Sequence, residues 1–114
     1  MTEHLDISVL TQRSHVLVRI QGECDFTTAQ HLREALIDQT QGGTPLVVAD
    51  LADLSFMDMA GVHALRDARA ALARKQQQLV LSSPQNIVTK VLKLTSTEQL
   101  IPIYPSLNDA LSAN

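Results

Sequence analysis

Apolar and polar positions alternate along Leu5-Asp6-Ile7-Ser8-Val9-Leu10-Thr11, which predicts a strand with one buried face. Gln12-Arg13-Ser14 reads as a short turn, and His15-Val16-Leu17-Val18-Arg19-Ile20 as the second arm of a hairpin. Gly22-Glu23-Cys24-Asp25 leads out of that strand. Ala29, Leu32, Ala35 and Leu36 recur at helical spacing. A helix capped by Thr27 or Thr28 is therefore expected to run to about Thr40 and to end at Gly42-Gly43-Thr44-Pro45. Leu46 to Ala49 is an unbroken apolar run, the pattern of a strand buried on both faces. Leu65, Ala68 and Leu72 define the core side of a second helix ending near Lys75, with Arg66, Asp67, Arg69 and Arg74 on its wet side. Gln76-Gln77-Gln78 is expected as polar helix end and loop before a strand at Leu79-Val80-Leu81. Ser83 and Pro84 predict a third helix start, with Ser as cap and Pro in the first helical position, continued by Ile87, Val88, Val91, Leu92 and Leu94. Ile101-Pro102-Ile103-Tyr104 predicts a short edge strand, since proline cannot donate to a ladder. Ser106 caps a last helix through Leu107, Ala110 and Leu111.

The element order is thus β-β-α-β-α-β-α-β-α. It implies an α/β fold with a mixed, mostly parallel sheet of about five strands, an N-terminal hairpin and four helices. Ligands of such sheets sit beyond the carboxyl ends of the parallel strands. Asp25, Asp50 to Asp53 and Asp58 are expected there. The length of 114 residues suits a single domain, 1-114, with one core.

Composition narrows the function more than the fold. A net charge of -3 exerts no general pull on nucleic acid. The cationic set Arg66, Arg69, Arg74 and Lys75 is interrupted by Asp67 and lacks aromatic company. The chain opens without a signal-peptide pattern, and no apolar stretch approaches the roughly 18 residues that cross a bilayer. Its one cysteine, Cys24, cannot close an internal disulfide. These features predict a cytoplasmic protein with no direct membrane insertion.

Candidate chemistry is sparse. His4, His15, His31 and His63 lack zinc-motif spacing, and no Gly-rich phosphate loop opens a helix. Cys24 has no evident base and orienter in the sequence, so a structural role is expected. No cofactor or metal is therefore expected. The acidic set Glu23, Asp25, Asp50, Asp53 and Asp58 would suit Mg²⁺ or a phosphoacceptor aspartate of the receiver-domain kind. No Lys follows the last strand, and the opening hairpin is foreign to that fold, so this enzyme-like reading ranks last.

The stretch Ser55-Phe56-Met57-Asp58-Met59-Ala60-Gly61-Val62-His63 draws the most attention. Asp58 sits where a helix N-cap belongs. Gly61 in a first turn costs about 1 kcal/mol relative to Ala unless something must approach closely. A strand-loop-helix junction with an uncluttered helix N-terminus is expected, a place that presents backbone donors.

Two segments carry a family resemblance. Gly22-Glu23-Cys24-Asp25-Phe26-Thr27-Thr28-Ala29 is similar to a Gly-Glu-x-Asp segment followed by Thr-Ala, and Leu54 to Val62 resembles a central Asp-Ser-Ser/Thr-Gly-Leu signature. Together, and in this element order, they resemble the STAS domain family of bacterial anti-sigma factor antagonists over nearly the whole chain. The resemblance implies a non-catalytic module that binds a kinase-type anti-sigma factor, a serine-kinase-type regulator, as its partner. It implies phosphorylation of the Ser directly after the signature Asp, which blocks binding by adding about -1.5 to -2 charge at a contact point. It also implies partner contacts at Asp25, Thr27, Asp58, Met59, Ala60, Gly61 and His63. A weak homodimer is compatible with it.

The chain departs from the pattern where it matters most. Met59 occupies the phosphoacceptor position and Ala60 follows, so neither supplies a hydroxyl. Three readings follow: a permanently unmodified binder, a binder modified at Ser55, Thr27 or Thr28, or a STAS subunit of a membrane-associated lipid or anion transport complex. The first is preferred because Asp58, Gly61 and the apolar scaffold are kept while only the hydroxyls are lost. Met59 suits a pliable apolar contact, or else it fills a gap beneath a neighbouring loop.

Overall fold

The computed structural model describes residues 4–113. Within them the order is β1 (Leu5–Thr11), β2 (His15–Cys24), α1 (Ala29–Ile37), β3 (Leu46–Met57), α2 (Met59–Arg74), β4 (Gln78–Ser82), α3 (Asn86–Leu94), β5 (Ile103–Tyr104) and α4 (Leu107–Ser112). One five-stranded sheet runs in sequence order, β1-β2-β3-β4-β5. Only β1 and β2 are antiparallel; the other three pairings are parallel. The alternation of strands and helices had implied this mixed α/β sheet, its hairpin and its four helices.

Both faces of the sheet are covered, unequally. Val16, Val18 and Ile20 of β2, Val47 and Ala49 of β3 and Leu79 and Leu81 of β4 form the main core with buried faces of α1, α2 and α3. Leu17, Val48 and Val80 point the other way and meet Ala110 of α4. This two-sided burial explains the unbroken apolar run at Leu46 to Ala49. The edges differ too. β1 pairs with β2 over seven residues, whereas β5 contributes two residues next to Pro102 and Pro105.

β3 is much longer than its apolar run. Arg19 faces Asp50, Gln21 faces Asp53, Gly22 faces Leu54 and Glu23 faces Phe56, so β3 gains one extra residue at each of two register shifts. The shifts turn Leu51, Leu54 and Met57, spaced by three, into the core. A period of two could not reveal such a strand.

Three expected helix boundaries are corrected. Thr28 stands at the N-cap position of α1, but its backbone is already helical and its hydroxyl bonds no first-turn N–H. α1 gives way to a 3₁₀ turn at Asp38–Gln41. Ser83 does not cap α3: it takes a left-handed conformation, φ 58°, and α3 begins only at Asn86 after Gln85. Ser106 does cap α4, accepting from the Asp109 N–H at 3.1 Å. Gln77, expected in a wet loop, is buried and donates to the carbonyls of Gln39 and Thr44 at 3.0 and 2.8 Å.

Gly22 is where the backbone leaves the ordinary strand region, with φ +118°, and a Cβ there would lie 2.4 Å from the His4 carbonyl oxygen. Gly22→Ala is therefore expected to destabilise the fold by about 1–3 kcal/mol. A urea midpoint equal to wild type would contradict this account of the β1–β2 end.

Candidate functional site

The site is built on the seam between β2 and β3. Cys24 and Met57, the last residues of these strands, are register partners. The Asp58 N–H donates to the Cys24 carbonyl at 3.1 Å, and α2 begins at the next residue. No loop intervenes between β3 and α2, which corrects the expected strand-loop-helix junction: the extra residues of β3 carry the strand up to the cap. Asp58 has the extended backbone of an N-cap, φ −110° and ψ −170°. Its Oδ1 accepts the N–H groups of Ala60 at 2.9 Å and Gly61 at 3.3 Å, while its carbonyl accepts the Val62 N–H at 3.1 Å.

Gly61 has an internal reason to lack a side chain. A Cβ there would lie 2.8 Å from Met57 Cγ and 2.9 Å from Cys24 Sγ. The close approach it permits is that of α2 onto the strand ends. Gly61 is itself buried.

Cys24 is wholly buried beneath this turn. Burial, then the charges of Asp58 and Asp25, push its thiol up from 9.0 to about 12, against a smaller opposing effect of the Thr28 hydroxyl. The thiol is held protonated and enclosed, the opposite of an activated nucleophile.

The loop after β2 is ordered by Asp25. Its Oδ1 accepts the Thr27 N–H at 2.8 Å and the Thr27 hydroxyl at 2.6 Å. The Thr28 hydroxyl donates to the Glu23 carbonyl at 2.8 Å and accepts the Asp25 N–H at 3.0 Å. Asp25 is 6% exposed, and its carboxylate shapes the loop from within. The side chain this loop pushes outward is Phe26, 82% exposed. Sequence reading passed over Phe26, although a lone aromatic between polar loop residues in a chain with only two Phe was a usable signal.

The pairing of Cys24 with Met57 brings the Asp25-Phe26-Thr27 loop and the Asp58-Met59 turn side by side. Met59 is 50% exposed, so it does not serve as a buried gap-filler. Ala60 is half-buried, and Thr27 and His63 are exposed. Ser55 is exposed within β3 and donates to the Gly22 carbonyl at 3.0 Å.

The acidic set does not converge. Asp50 lies inside β3, is buried, and accepts the Arg19 Nε–H at 3.3 Å and the Ala52 N–H at 3.1 Å. Asp53 too lies within β3 and not at its end. Among the described residues no three His, Cys, Asp or Glu side chains are grouped to hold a metal ion. No helix among them is long and apolar enough to cross a membrane.

Replacing the cap, Asp58→Ala, is expected to cost about 1 kcal/mol of stability, and Asp58→Asn much less because the amide oxygen can still accept. Equal losses for the two variants in urea titrations would show that charge, not capping, is what Asp58 contributes. Cys24 predicts a pH effect of definite sign. Below pH 9 both folded and unfolded chains keep the proton, and the thiol contributes no pH dependence. Between pH 9 and about 12 only the unfolded chain loses it, so stability falls as pH rises, by about 1.4 kcal/mol per unit at most. Urea unfolding of wild type and Cys24→Ala from pH 7.5 to 10.5 checks this: the variant should lack that component, and parallel curves would refute it.

Comparison with known proteins now adds to this geometry. A curated anti-sigma-B factor antagonist of Staphylococcus epidermidis is 26% identical over 100 residues, covering 88% of this chain and 93% of that protein. An anti-sigma factor antagonist structure from Mycobacterium paratuberculosis superposes with a TM-score of 0.86 at 25% identity, covering 96% of this chain and 92% of the other. A sulfate transporter family protein from Wolinella succinogenes shares the fold with a TM-score of 0.78 at 17% identity, covering 91% and 87%. The STAS domain family model matches residues 6–110. Carrying that match over nearly its whole length, the chain belongs to the STAS domain family.

Proposed function

We propose that the chain is a regulatory binding module of the anti-sigma factor antagonist kind, that it docks a kinase-type anti-sigma factor through the turn at the start of α2, and that it does so without a serine switch. The observation that carries this reading is the pairing of exposed apolar side chains with a rigid base. Met59 and Phe26 project from two segments fixed by the Asp58 cap and the Asp25–Thr27 bonds. Preorganisation of this sort lowers the ordering cost of binding. The antagonist relative from Staphylococcus epidermidis, aligned over most of both chains, supports the partner class. Thr27, Ala60 and His63 border the same surface, while Asp25, Asp58 and Gly61 hold its shape.

The reading is non-catalytic. Cys24 is sealed and protonated, and the carboxylates of Asp58, Asp25 and Asp50 are spent on the helix cap, the loop and Arg19. A thioether at position 59 cannot take a phosphoryl group, and it carries no charge that would imitate one.

Calorimetric titration with a purified kinase-type anti-sigma factor from the same organism tests the proposal. A saturable complex is expected, unchanged in affinity and in protein mass after incubation with ATP and Mg²⁺. Met59→Glu should weaken it by at least about tenfold, since the charge must be desolvated at the contact, while a Glu in a first helical turn leaves the fold intact. Phosphate on Ser55, Thr27 or Thr28 with release of the partner would overturn the switch-free claim. Absence of binding, with capture of transporter subunits by the same chain, would favour the transport-complex role.

A further inference from the structure

We propose that Met59 is a reversible oxidation site, and that conversion of its thioether to the sulfoxide by hydrogen peroxide weakens docking at the start of α2. The inference rests on the docking role proposed above and adds a regulation to that surface.

Three sulfur-bearing side chains lie among the described residues, and the fold treats them unequally. Cys24 is fully buried and Met57 is 2% exposed, both packed under the first turn of α2. Met59, two residues from Met57, is open to solvent over half its surface. Oxidation follows exposure for thioethers and thiolate character for thiols. Cys24 is kept from its thiolate by burial and by the neighbouring carboxylates. Peroxide reaching this end of the molecule therefore meets Met59 first.

The reaction needs no group that the chain lacks. A sulfur lone pair attacks one peroxide oxygen, the O–O bond breaks as the S–O bond forms, and the departing hydroxide takes the proton still on the transferred oxygen and leaves as water. The sulfur is oxidised by two electrons and the peroxide is reduced. Methionine sulfoxide reductases reverse the step, with a thiol reductant passing to its disulfide.

The backbone around Met59 suits the product. Asp58 satisfies the N–H groups of Ala60, Gly61 and Val62. The Met59 N–H is the first-turn donor that the cap does not take. A sulfoxide oxygen, a strong acceptor, would form beside this donor end of α2, where the macrodipole favours negative charge density. An apolar, pliable contact becomes a polar one. A partner that buries position 59 would then have to strip that oxygen of water.

The full-length chain is treated with hydrogen peroxide and quenched, and oxygen gain at each methionine is read by peptide mass. Binding of the purified kinase-type anti-sigma factor is measured on the same samples, for wild type, Met59→Leu and Met59→Gln. Met59 is expected to oxidise at least about tenfold faster than Met57. Affinity should fall about tenfold on oxidation and return after reductase treatment. Met59→Leu, whatever its starting affinity, should show the same affinity before and after peroxide, and Met59→Gln, polar and uncharged, should bind as weakly as the oxidised chain. Equal oxidation of Met57, or unchanged affinity when Met59 is fully oxidised, overturns the inference and leaves the docking role standing. Failure of unoxidised wild type to bind overturns the docking role and this regulation with it.

Discussion

The structure depends on how closely the first turn of α2 sits upon the ends of β2 and β3. One backbone bond, Asp58 N–H to the Cys24 carbonyl, ties strand end to helix start without a loop. One missing side chain, at Gly61, leaves room for Cys24 Sγ and Met57 Cγ beneath the turn. Each would fail without the other. A Cβ at residue 61 would lift the helix off Met57 Cγ and Cys24 Sγ, and a slack connection after β3 would let the helix start drift from its cap. The raised thiol pKa of Cys24 is a chemical record of the same enclosure, since burial is its leading cause.

This close seating sorts the residues of the junction into two sets. Asp25, Asp58, Gly61, Cys24 and Met57 face inward or spend their polar atoms on neighbouring backbone. Phe26 and Met59 face outward from the positions those residues fix. On the proposed docking role, this division would let a surface with few charges be specific. A partner would read the spacing of two apolar side chains held on a rigid seam, which costs little ordering entropy. In such a surface the polarity of one side chain at position 59 weighs heavily, because the remaining contacts are not built to compensate a desolvated polar group.

How much of this was legible in the sequence varies by element. The hairpin, the parallel strands and α2 announced themselves through period-two, unbroken and period-3.6 patterns at Leu5–Thr11, Leu46 to Ala49 and Leu65-Ala68-Leu72. The cap at Asp58 was legible for the same local reason, as an Asp directly ahead of a helical pattern. The second half of β3 was not, because its two extra residues convert strand spacing into a period of three. Ser83-Pro84 matched a helix start, yet Ser83 takes a left-handed conformation with its N–H bonded to the Tyr104 carbonyl, a contact distant in sequence. Position 61 shows the deepest limit. A Gly in a helical first turn signals that something approaches closely, and only the fold shows that the approaching atoms belong to the chain itself.

The placement of Met59 and Gly61 then bears on what substitution at this junction can achieve. Asp58 and Gly61 are committed to the cap and to the seam, so changes there alter the fold before they alter recognition. Position 59 has its side chain half in solvent and owes nothing to the cap but its place in the turn. It is the residue at which chemistry can vary while the helix start stays as it is. A hydroxyl there would admit a phosphoryl group with about two negative charges. A thioether instead gains one neutral oxygen in its reversible oxidation, a change of polarity in place of a change of charge.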